Sequence, residues 1–567
     1  MVKRKPVRTE EVAWLRALFT RGGPDDVLRD RAWSDLRERP FTSTRALADY
    51  HDLMLFIRAF PWSNADHTIA GSELNRVADL VTGLVSKSEA GRYAFMNSGI
   101  AGAPSRASFS LDLVRWLASR PDTGARLDDL EGEEGSSHMI WASACGMVER
   151  EAAEDERRPV LESILNGCGD DANSALRELV SAIDRSAVFP GTRNALWEVM
   201  KPTISFTPGR SPITRTWARG IERDLVLRRA DHASSWDVRA LPQERILPLE
   251  KLTAAERTGV LEAARGVLVG HLRETDTAML CEETGLDVQP MGDGLHIALL
   301  TLPPGRRMAF DAYVGYLAFV NAMPVAYGGA WIFPGRSKIG INVFPAYRGG
   351  PSAWLFARII QCYSLRFGVG RFEAENYQLG QGNPDGIRSG AYWFYDRLGF
   401  RTMDPELANV AENERKSRAH DRGHRTSPEV LRKLATRPMW LDLAQESAPV
   451  FDLVDLGESV LRSTVPGIGR DRSQVMAGKV KVVSRMLSVG DRSRWPVAER
   501  ASYEGLAPAV AHIGDLSRWS AKEKRDLVAL MRAKGQRTEE RYISLLRKHP
   551  LLLSAWETRA RSIEVAQ

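Results

Sequence analysis

The sequence predicts an α/β protein in which a mixed β-sheet with helices is flanked by largely α-helical N- and C-terminal regions. Three observations support this fold class. Residues 1–200 place apolar residues at helical spacing, residues 290–405 alternate strand-like and helix-like runs, and helical periodicity returns from about residue 426. A chain of 567 residues exceeds what one hydrophobic core usually serves. We therefore expect three units: a helical region over 1–240, a central α/β domain over 241–425 and a helical region over 426–567.

The N-terminal region carries local helix signals. Residues 46–60 (ALADYHDLMLFIRAF) have apolar residues at helical spacing. Residues 108–121 (SFSLDLVRWLASRP) offer Ser108 or Ser110 as an N-cap, and Pro121 predicts where that helix stops. The stretch 202–216 (PTISFTPGRSPITRT) is rich in proline, glycine, serine and threonine, which is typical of a linker or domain boundary.

The central region alternates element types. The predicted helices cover 253–274, 310–321, 352–367 and about 389–399. The predicted strands cover 294–302, 324–333, 338–344 and 371–379, of which the second and third form a hairpin across the turn residues 334–337. Gly368 directly follows the 352–367 helix and is a suitable terminator for it.

The uncharged run 312–333 (AYVGYLAFVNAMPVAYGGAWIF) is long enough to cross a bilayer. However, Asn321, Pro324 and Gly328-Gly329 interrupt it, and its second half alternates at strand spacing. We therefore interpret it as a buried helix followed by a buried strand and expect no membrane partner.

Helix starts in the C-terminal region are also marked. Ser427 precedes Pro428 at a first helical position, Ser520 and Glu523 have capping-box spacing, and Pro550 predicts the stop of another helix.

Composition excludes several classes of protein. The formal charge of +6 permits an anionic partner without requiring one. Four scattered cysteines form no CxxC pair, which favours a reducing compartment over a disulfide scaffold. The ten histidines show no paired-ligand spacing, so we predict no metal site. The first residues lack the apolar core of a signal peptide, and we expect a cytoplasmic protein.

A strand-to-helix junction at 341–356 (INVFPAYRGGPSAWLF) is the main candidate site. A helix N-terminus presents unpaired N–H groups and partial positive charge, and Gly349-Gly350 lets a ligand approach the backbone. Arg348 can add a charge-assisted hydrogen bond. The junction therefore predicts binding of an anion such as a pyrophosphate, the alternative being a tight turn that merely needs glycine.

Two motifs in this region resemble those of the GNAT N-acetyltransferase superfamily. Residues 343–353 (VFPAYRGGPSA) are similar to the family's V-x-P-x-x-R-G-x-G-x-G/A loop after the fourth strand, and 395–400 (YDRLGF) to its Y-x-x-x-G-F helix end. The resemblance spans about 290–405. The chain departs from the pattern at Pro351, which lacks an N–H donor, and at Arg388, where many members carry asparagine.

The resemblance implies an N-acyltransferase that uses acetyl-CoA or another acyl-CoA. In such enzymes the fourth and fifth strands splay apart around the pantetheine, and a backbone N–H of the fourth strand polarises the thioester. It also implies a tyrosine, here Tyr395, that protonates the leaving thiolate. The residues implied to bind the coenzyme are Val343, Phe344, Arg348, Gly349, Gly350, Ser352 and Ala353.

An amine acceptor, either a small molecule or a protein, needs a base. Glu373 and Glu375 share one face of the predicted 371–379 strand with Tyr377, and they are our candidate bases. The alternative is that they face solvent or pair with arginine. Gln378, Asn383 and Arg388 are candidates for lining the substrate cleft.

Two other functions remain open. The basic segment 415–425 (RKSRAHDRGHR) is typical of a solvated linker, but it could contact a coenzyme phosphate or RNA. With it as a dock, the protein would be a GNAT-like transferase that takes its acyl group from aminoacyl-tRNA. A degenerate loop at Pro351 would instead indicate a non-catalytic domain in a helical interaction scaffold.

Overall fold

The computed structural model describes most of the chain and confirms a mixed α/β architecture. The described residues are 5–132, 146–148, 151, 173–186, 190–229, 238, 246–421, 423–444, 451–465 and 471–564. The predicted boundary between residues 240 and 241 lies outside them.

The N-terminal region begins with five helices: α1 (Thr9–Arg21), α2 (Val27–Arg37), α3 (Thr44–Ala59), α4 (Asn64–Lys87) and α5 (Glu89–Phe95). Helix α3 confirms the predicted 46–60 helix, and its N-cap Ser43 accepts a hydrogen bond from the Ala46 N–H at 3.2 Å. Almost every apolar side chain of α3 is buried, so this helix lies at the centre of the N-terminal region.

A small antiparallel sheet and three helices follow in the chain: β1 (Ser105–Ser108), α6 (Leu111–Ala118), β2 (Arg126–Leu130), α7 (Ser174–Arg185), α8 (Pro190–Met200) and β3 (Pro202–Phe206). Of the two predicted caps, Ser110 is the one used, and α6 ends before Pro121 as predicted. The prediction of a linker or domain boundary over 202–216 is wrong for its first five residues, which form β3. Strand β3 is the central strand of this sheet, Ile204 is fully buried, and four of its five residues are buried, so it shows no one-sided alternation.

The main sheet has eight strands. Helices α9 (Ala254–Gly270) and α10 (Asp276–Leu280) precede β4 (Leu286–Gly292), β5 (Leu295–Thr301), β6 (Ala312–Val320), β7 (Met323–Phe333), β8 (Arg336–Val343), α11 (Ser352–Phe367), β9 (Arg371–Ala374), α12 (Asn376–Leu379), α13 (Pro384–Ser389), α14 (Ala391–Arg397), β10 (Arg401–Thr402), α15 (Pro405–His420), α16 (Pro428–Leu434) and β11 (Met439–Asp442). The strand order is β10-β11-β9-β8-β7-β6-β5-β4. Every neighbouring pair is antiparallel except β8 and β9, which are parallel and joined through α11.

The predicted helix 310–321 is wrong, because this segment is β6. The strand is hydrogen-bonded between β5 and β7 and is buried along nearly its whole length, so its residues show no one-sided pattern. The two-residue turn that follows has positive φ at Asn321 (48°) and Ala322 (62°). Asn321 stabilises it by donating from Nδ2 to the Ala59 and Val226 carbonyl oxygens at 2.9 Å.

The other central predictions agree better with the structure. Helix α11 has the predicted bounds, and Gly368 ends it in the left-handed conformation with φ 67°. The β7–β8 hairpin is confirmed. The predicted strand 371–379 is wrong in its second half, because β9 ends at Ala374 and Glu375 becomes the N-cap of α12.

The C-terminal region is helical: α17 (Leu453–Thr464), α18 (Arg472–Met486), α19 (Val497–Val510), α20 (Ala521–Ala533), α21 (Glu540–Arg547) and α22 (Pro550–Glu564). The capping box of Ser520 and Glu523 starts α20, as predicted. Helix α21 ends before Pro550, and that proline then opens α22.

Both helical regions pack on the central sheet. Phe60 lies 6.4 Å from the fully buried Trp354 ring of α11, measured between ring centroids. Tyr542 of α21 donates its hydroxyl to the Phe310 carbonyl at 2.6 Å. One continuous set of buried hydrophobic residues runs from Val7 to Ala560 and includes the sheet.

No helix within the described ranges is long and apolar enough to cross a membrane. The uncharged run 312–333 forms strands β6 and β7.

Candidate functional site

Strands β8 and β9 pair over only a short stretch. They pair only at Ser337 with Phe372 and at Lys338 with Glu373. The remainder of β8, from Ile339 to Val343, has no register partner on β9. Because β9 ends at Ala374, most of this edge of β8 has no strand beside it, and we call this edge and the space next to it the gap.

The gap contains Tyr395 and Gln378. The Tyr395 hydroxyl donates to Gln378 Oε1 at a long 3.4 Å, and it also accepts a hydrogen bond from the backbone N–H of Ile341. A Cβ at Gly340 would lie 2.8 Å from Gln378 Nε2, so the amide packs directly on the β8 backbone. Burial raises the pKa of Tyr395 well above its usual value, against the opposing effect of the Ile341 hydrogen bond. The tyrosine is therefore neutral and a hydrogen-bond donor.

Backbone direction decides which N–H of β8 faces the gap. The Phe344 N–H donates to the Val325 carbonyl at 3.0 Å, so it points towards β7. Since successive N–H groups of a strand alternate between its two sides, the Val343 N–H points into the gap, as that of Ile341 does. Phe344 is therefore wrong as a candidate for polarising a carbonyl, and Val343 remains.

The glycine junction is an exposed, sharply turned loop. A short 3₁₀ turn, Pro345–Tyr347, leads to Arg348, and then Gly349 (φ 90°) and Gly350 (φ 41°) take conformations that favour glycine. Pro351 is the N-cap of α11 and supplies no side-chain hydrogen bond. Ser352 Oγ donates to the Gly349 carbonyl at 3.2 Å, and Ala353 lies in the first helical turn.

The Arg348 side chain is exposed and bends back along β8. Its Nε donates to the Val343 carbonyl at 3.1 Å, which places the guanidinium at the mouth of the gap. The Arg348 side chain therefore contacts the last residue of β8.

The N-terminal region supplies cations to the same loop. Arg16 of α1 donates from Nη2 to the Ala346 carbonyl at 2.7 Å and lies 3.4 Å from the Arg348 carbonyl. A Cβ at Gly350 would lie 3.8 Å from the Nη2 of Arg228. Within the described residues, Arg228 bonds two backbone carbonyls and stacks on two aromatic rings but meets no carboxylate, and burial lowers its pKa to about 10. The loop thus has a positive surrounding that its own sequence does not indicate.

The two predicted carboxylates differ in position. Glu373 is nearly buried on β9, and burial raises its pKa against the opposing effect of Lys338. Glu375 is exposed and pairs with Lys338 at 2.8 Å. The predicted common face of Glu373, Glu375 and Tyr377 is wrong, because the strand ends between the first two residues.

A second polar cluster lies on the opposite side of Phe344. The His271 ring stacks on Phe344 with 4.4 Å between centroids. Burial lowers the pKa of His271 well below its usual value, so its imidazole is neutral at pH 7. Asp52 lies among the charges that act on His271, and although burial opposes it, Arg215 lowers the pKa of Asp52. No local sequence pattern marks these residues, since they come from α3, the end of α9 and the segment after β3.

The other two residues predicted to line the substrate cleft, Asn383 and Arg388, lie apart from Gln378. Asn383 and Arg388 line a cleft of about 1110 Å³ between α13–α14 and α15–α16. The linker prediction for 415–425 is wrong in its first half, because residues 415–420 form the last turns of α15. Arg418 and Arg425 from this segment also line the cleft, whereas Arg422 lies outside the described residues.

Metal ligation and thiol chemistry have little support in the part of the chain that the structure describes. It contains no group of three metal-ligating side chains. Cys281 and Cys362 are free and buried, and burial raises the pKa of both thiols to about 12. Cys145 and Cys168 lie outside the described residues.

The chain matches no protein-family model, no curated protein sequence and no solved structure with significant similarity. The gap and its loop are therefore the features from which a function is inferred.

Proposed function

We propose that the protein is an acyl-CoA-dependent N-acyltransferase of GNAT-like architecture that transfers an acyl group to an amine. The observation that carries the proposal is the gap between β8 and β9, with the Val343 N–H and the Tyr395 hydroxyl facing into it and the Arg348 loop at its mouth. In this proposal an extended chain such as a pantetheine lies along the edge of β8 that β9 leaves unpaired.

Each part of the gap has a chemical role in this proposal. The loop amides and Arg348 bind the pyrophosphate, with Arg16 and Arg228 adding positive charge behind it. The Val343 N–H donates to the thioester oxygen, where negative charge develops as the amine attacks. The C–N bond forms, the C–S bond breaks, and the sulfur departs towards Tyr395.

The raised pKa of Tyr395 limits what this residue can do. A thiol has a pKa of about 8.5, so the proton stays on a tyrosine whose pKa is above its usual value of about 10. Tyr395 therefore acts as a hydrogen-bond donor to the departing sulfur. The thiolate takes its proton from solvent, and the amine loses its own to a base.

Glu373 fits the role of base better than Glu375. Its raised pKa gives it a stronger affinity for a proton. It is also the last residue of β9 that pairs with β8, so it lies at the start of the gap. Glu375 has its carboxylate held by Lys338 at the surface.

The proposal is tested by incubating the full-length chain with acetyl-CoA and a panel of amines while measuring release of free CoA thiol. The panel contains a polyamine, lysine and a peptide with a free N-terminus, and mass spectrometry identifies the acylated product. Thiol release that depends on one of the amines supports the proposal. If the chain binds neither acetyl-CoA nor longer acyl-CoAs, the proposal is contradicted and the non-catalytic scaffold is favoured.

A transferase that takes its acyl group from aminoacyl-tRNA is the second candidate, favoured by the arginine-lined cleft beside α14. Charged tRNA replaces acetyl-CoA in the same assay, and radiolabelled amino acid on the amine acceptor distinguishes the two.

A further inference from the structure

The cleft beside α14 is lined by arginines from four helices and the loop after α15, and we call it the arginine cleft. Two of them, Arg388 and Arg397, come from α13 and α14, and three come from the opposite wall: Arg418, Arg425 and Arg432. Its volume of about 1110 Å³ exceeds the usual range of about 300–1,000 Å³ for small-molecule pockets. The loop Gly380–Gly382 forms part of its rim and leaves backbone accessible.

The positive charges of the cleft act on one another. Arg418 lies over the Trp393 ring at 4.8 Å, and burial, followed by repulsion from Arg397 and Arg425, lowers its pKa. Like charges this close are unfavourable unless an anion joins them. The cleft therefore has a positive electrostatic potential.

The acidic groups nearby are already held by other partners. Asp396 binds Arg401 and Arg415, and Glu414 accepts hydrogen bonds from His424 at 2.9 Å and Thr426 at 2.7 Å. On the rim, Arg388 pairs with the exposed Asp385.

Trp393, a tryptophan of the cleft lining, offers little surface to a nucleobase. Trp393 is 4% exposed, donates its Nε1–H to Thr426 Oγ1 at 3.0 Å, and is covered by Arg418. The cleft is thus suited to recognising phosphates and not bases.

We propose that the arginine cleft binds the phosphodiester backbone of RNA. Several guanidinium groups along an open cleft match a chain of regularly spaced phosphates, for which arginine is the preferred donor. The binding does not depend on acyl transfer, since the cleft lies on the side of α14 away from Tyr395: Trp393 and Arg397 line it, whereas Tyr395 faces the gap.

The test uses the full-length chain and fluorescence anisotropy with a labelled 20-nucleotide RNA of mixed sequence, at several salt concentrations. The variant Arg397→Glu/Arg432→Glu changes two exposed arginines on opposite walls. The control Arg525→Glu changes an exposed arginine of α20. Circular dichroism checks that each variant is folded.

We expect the double variant to lose at least about tenfold in RNA affinity and to flatten the slope of log K against log salt by about 1.4, two contacts at about 0.7 each. The control should match the wild type. If the double variant keeps the RNA affinity and the salt slope of the wild type, the proposal is overturned. An equal loss of RNA affinity in the control variant also overturns it. If tripolyphosphate binds to the chain and the RNA does not, the assignment of RNA as the ligand is overturned.

Discussion

Replacing Tyr395 with phenylalanine removes one hydroxyl from the gap and separates its structural role from its chemical one. The hydroxyl accepts from the buried Ile341 N–H, and its bond to Gln378 is long at 3.4 Å. The variant leaves the Ile341 N–H without that partner, which costs about 1–3 kcal/mol of folding free energy. Urea unfolding should show this loss, and the protein should remain folded.

The effect on rate follows from the proposed hydrogen bond to the departing sulfur. Hydrogen bonds to charged groups are worth about 1.5–3 kcal/mol, which corresponds to about a 10- to 150-fold fall in turnover. The assay is release of free CoA thiol at saturating acetyl-CoA and amine. Acetyl-CoA affinity should hardly change, since the ring and its aromatic neighbours remain.

Tyr363→Phe is the matched control. Tyr363 is also fully buried, and its hydroxyl donates to the Val314 carbonyl at 2.7 Å, but it lies away from the gap. This variant should lose similar stability and keep its turnover rate. Equal rates for Tyr395→Phe and the wild type, or equal losses of rate in both variants, would refute the role assigned to Tyr395.

Three further predictions concern the framework. Lys534→Met leaves Glu539 buried without its ion partner, so the free energy of unfolding in urea should fall by about 3–5 kcal/mol. The double variant Lys534→Met/Glu539→Leu should restore much of this loss, and an unchanged free energy in the single variant would contradict a buried pair. The isolated fragment 241–425 exposes the surfaces that Phe60 and Tyr542 cover, so it should aggregate, and a soluble, cooperatively unfolding fragment would contradict this packing. Burial, with a contribution from Lys479, lowers the pKa of His512 to about 4. The contribution of His512 to folding stability is therefore present above pH 6.5 and lost as pH falls towards 4. In His512→Gln the free energy of unfolding should fall less steeply with decreasing pH in this window, and an unchanged slope would refute the prediction.

The parts of the fold that sequence predicts well are those with local signals. Helix α11 has one-sided apolar periodicity and a terminating glycine, Gly368, in a left-handed conformation. The capping box at Ser520 and the hairpin of β7 and β8 are equally local. Each of these signals lies within a few residues of the structure it specifies.

The failures have a common physical cause. Strand β6 is buried by tertiary packing on both faces, so its apolar run carries no period, and the turn at Asn321-Ala322 lacks the glycine that marks most such hairpins. The alternation at 371–379 is a coincidence of composition that the cap at Glu375 interrupts.

The candidate site divides in the same way. Arg348, the glycines and Tyr395 belong to contiguous motifs and could be found in the sequence. Arg16 and Arg228 approach the loop from more than 100 residues away, and no local pattern marks them. Gln378 could also be found in the sequence as a cleft candidate, but its packing on the β8 backbone depends on the end of β9 at Ala374, which the alternation does not predict.

The most direct test of the central claim is calorimetric titration of the full-length chain with acetyl-CoA. We predict saturable binding to one site per chain, weakened by about 1.5–3 kcal/mol in Arg348→Ala, the usual range for hydrogen bonds to charged groups. Arg336→Ala, at the opposite end of the same strand, should bind like the wild type. Absence of binding by the wild type, or equal affinity of the wild type and Arg348→Ala, would contradict the account.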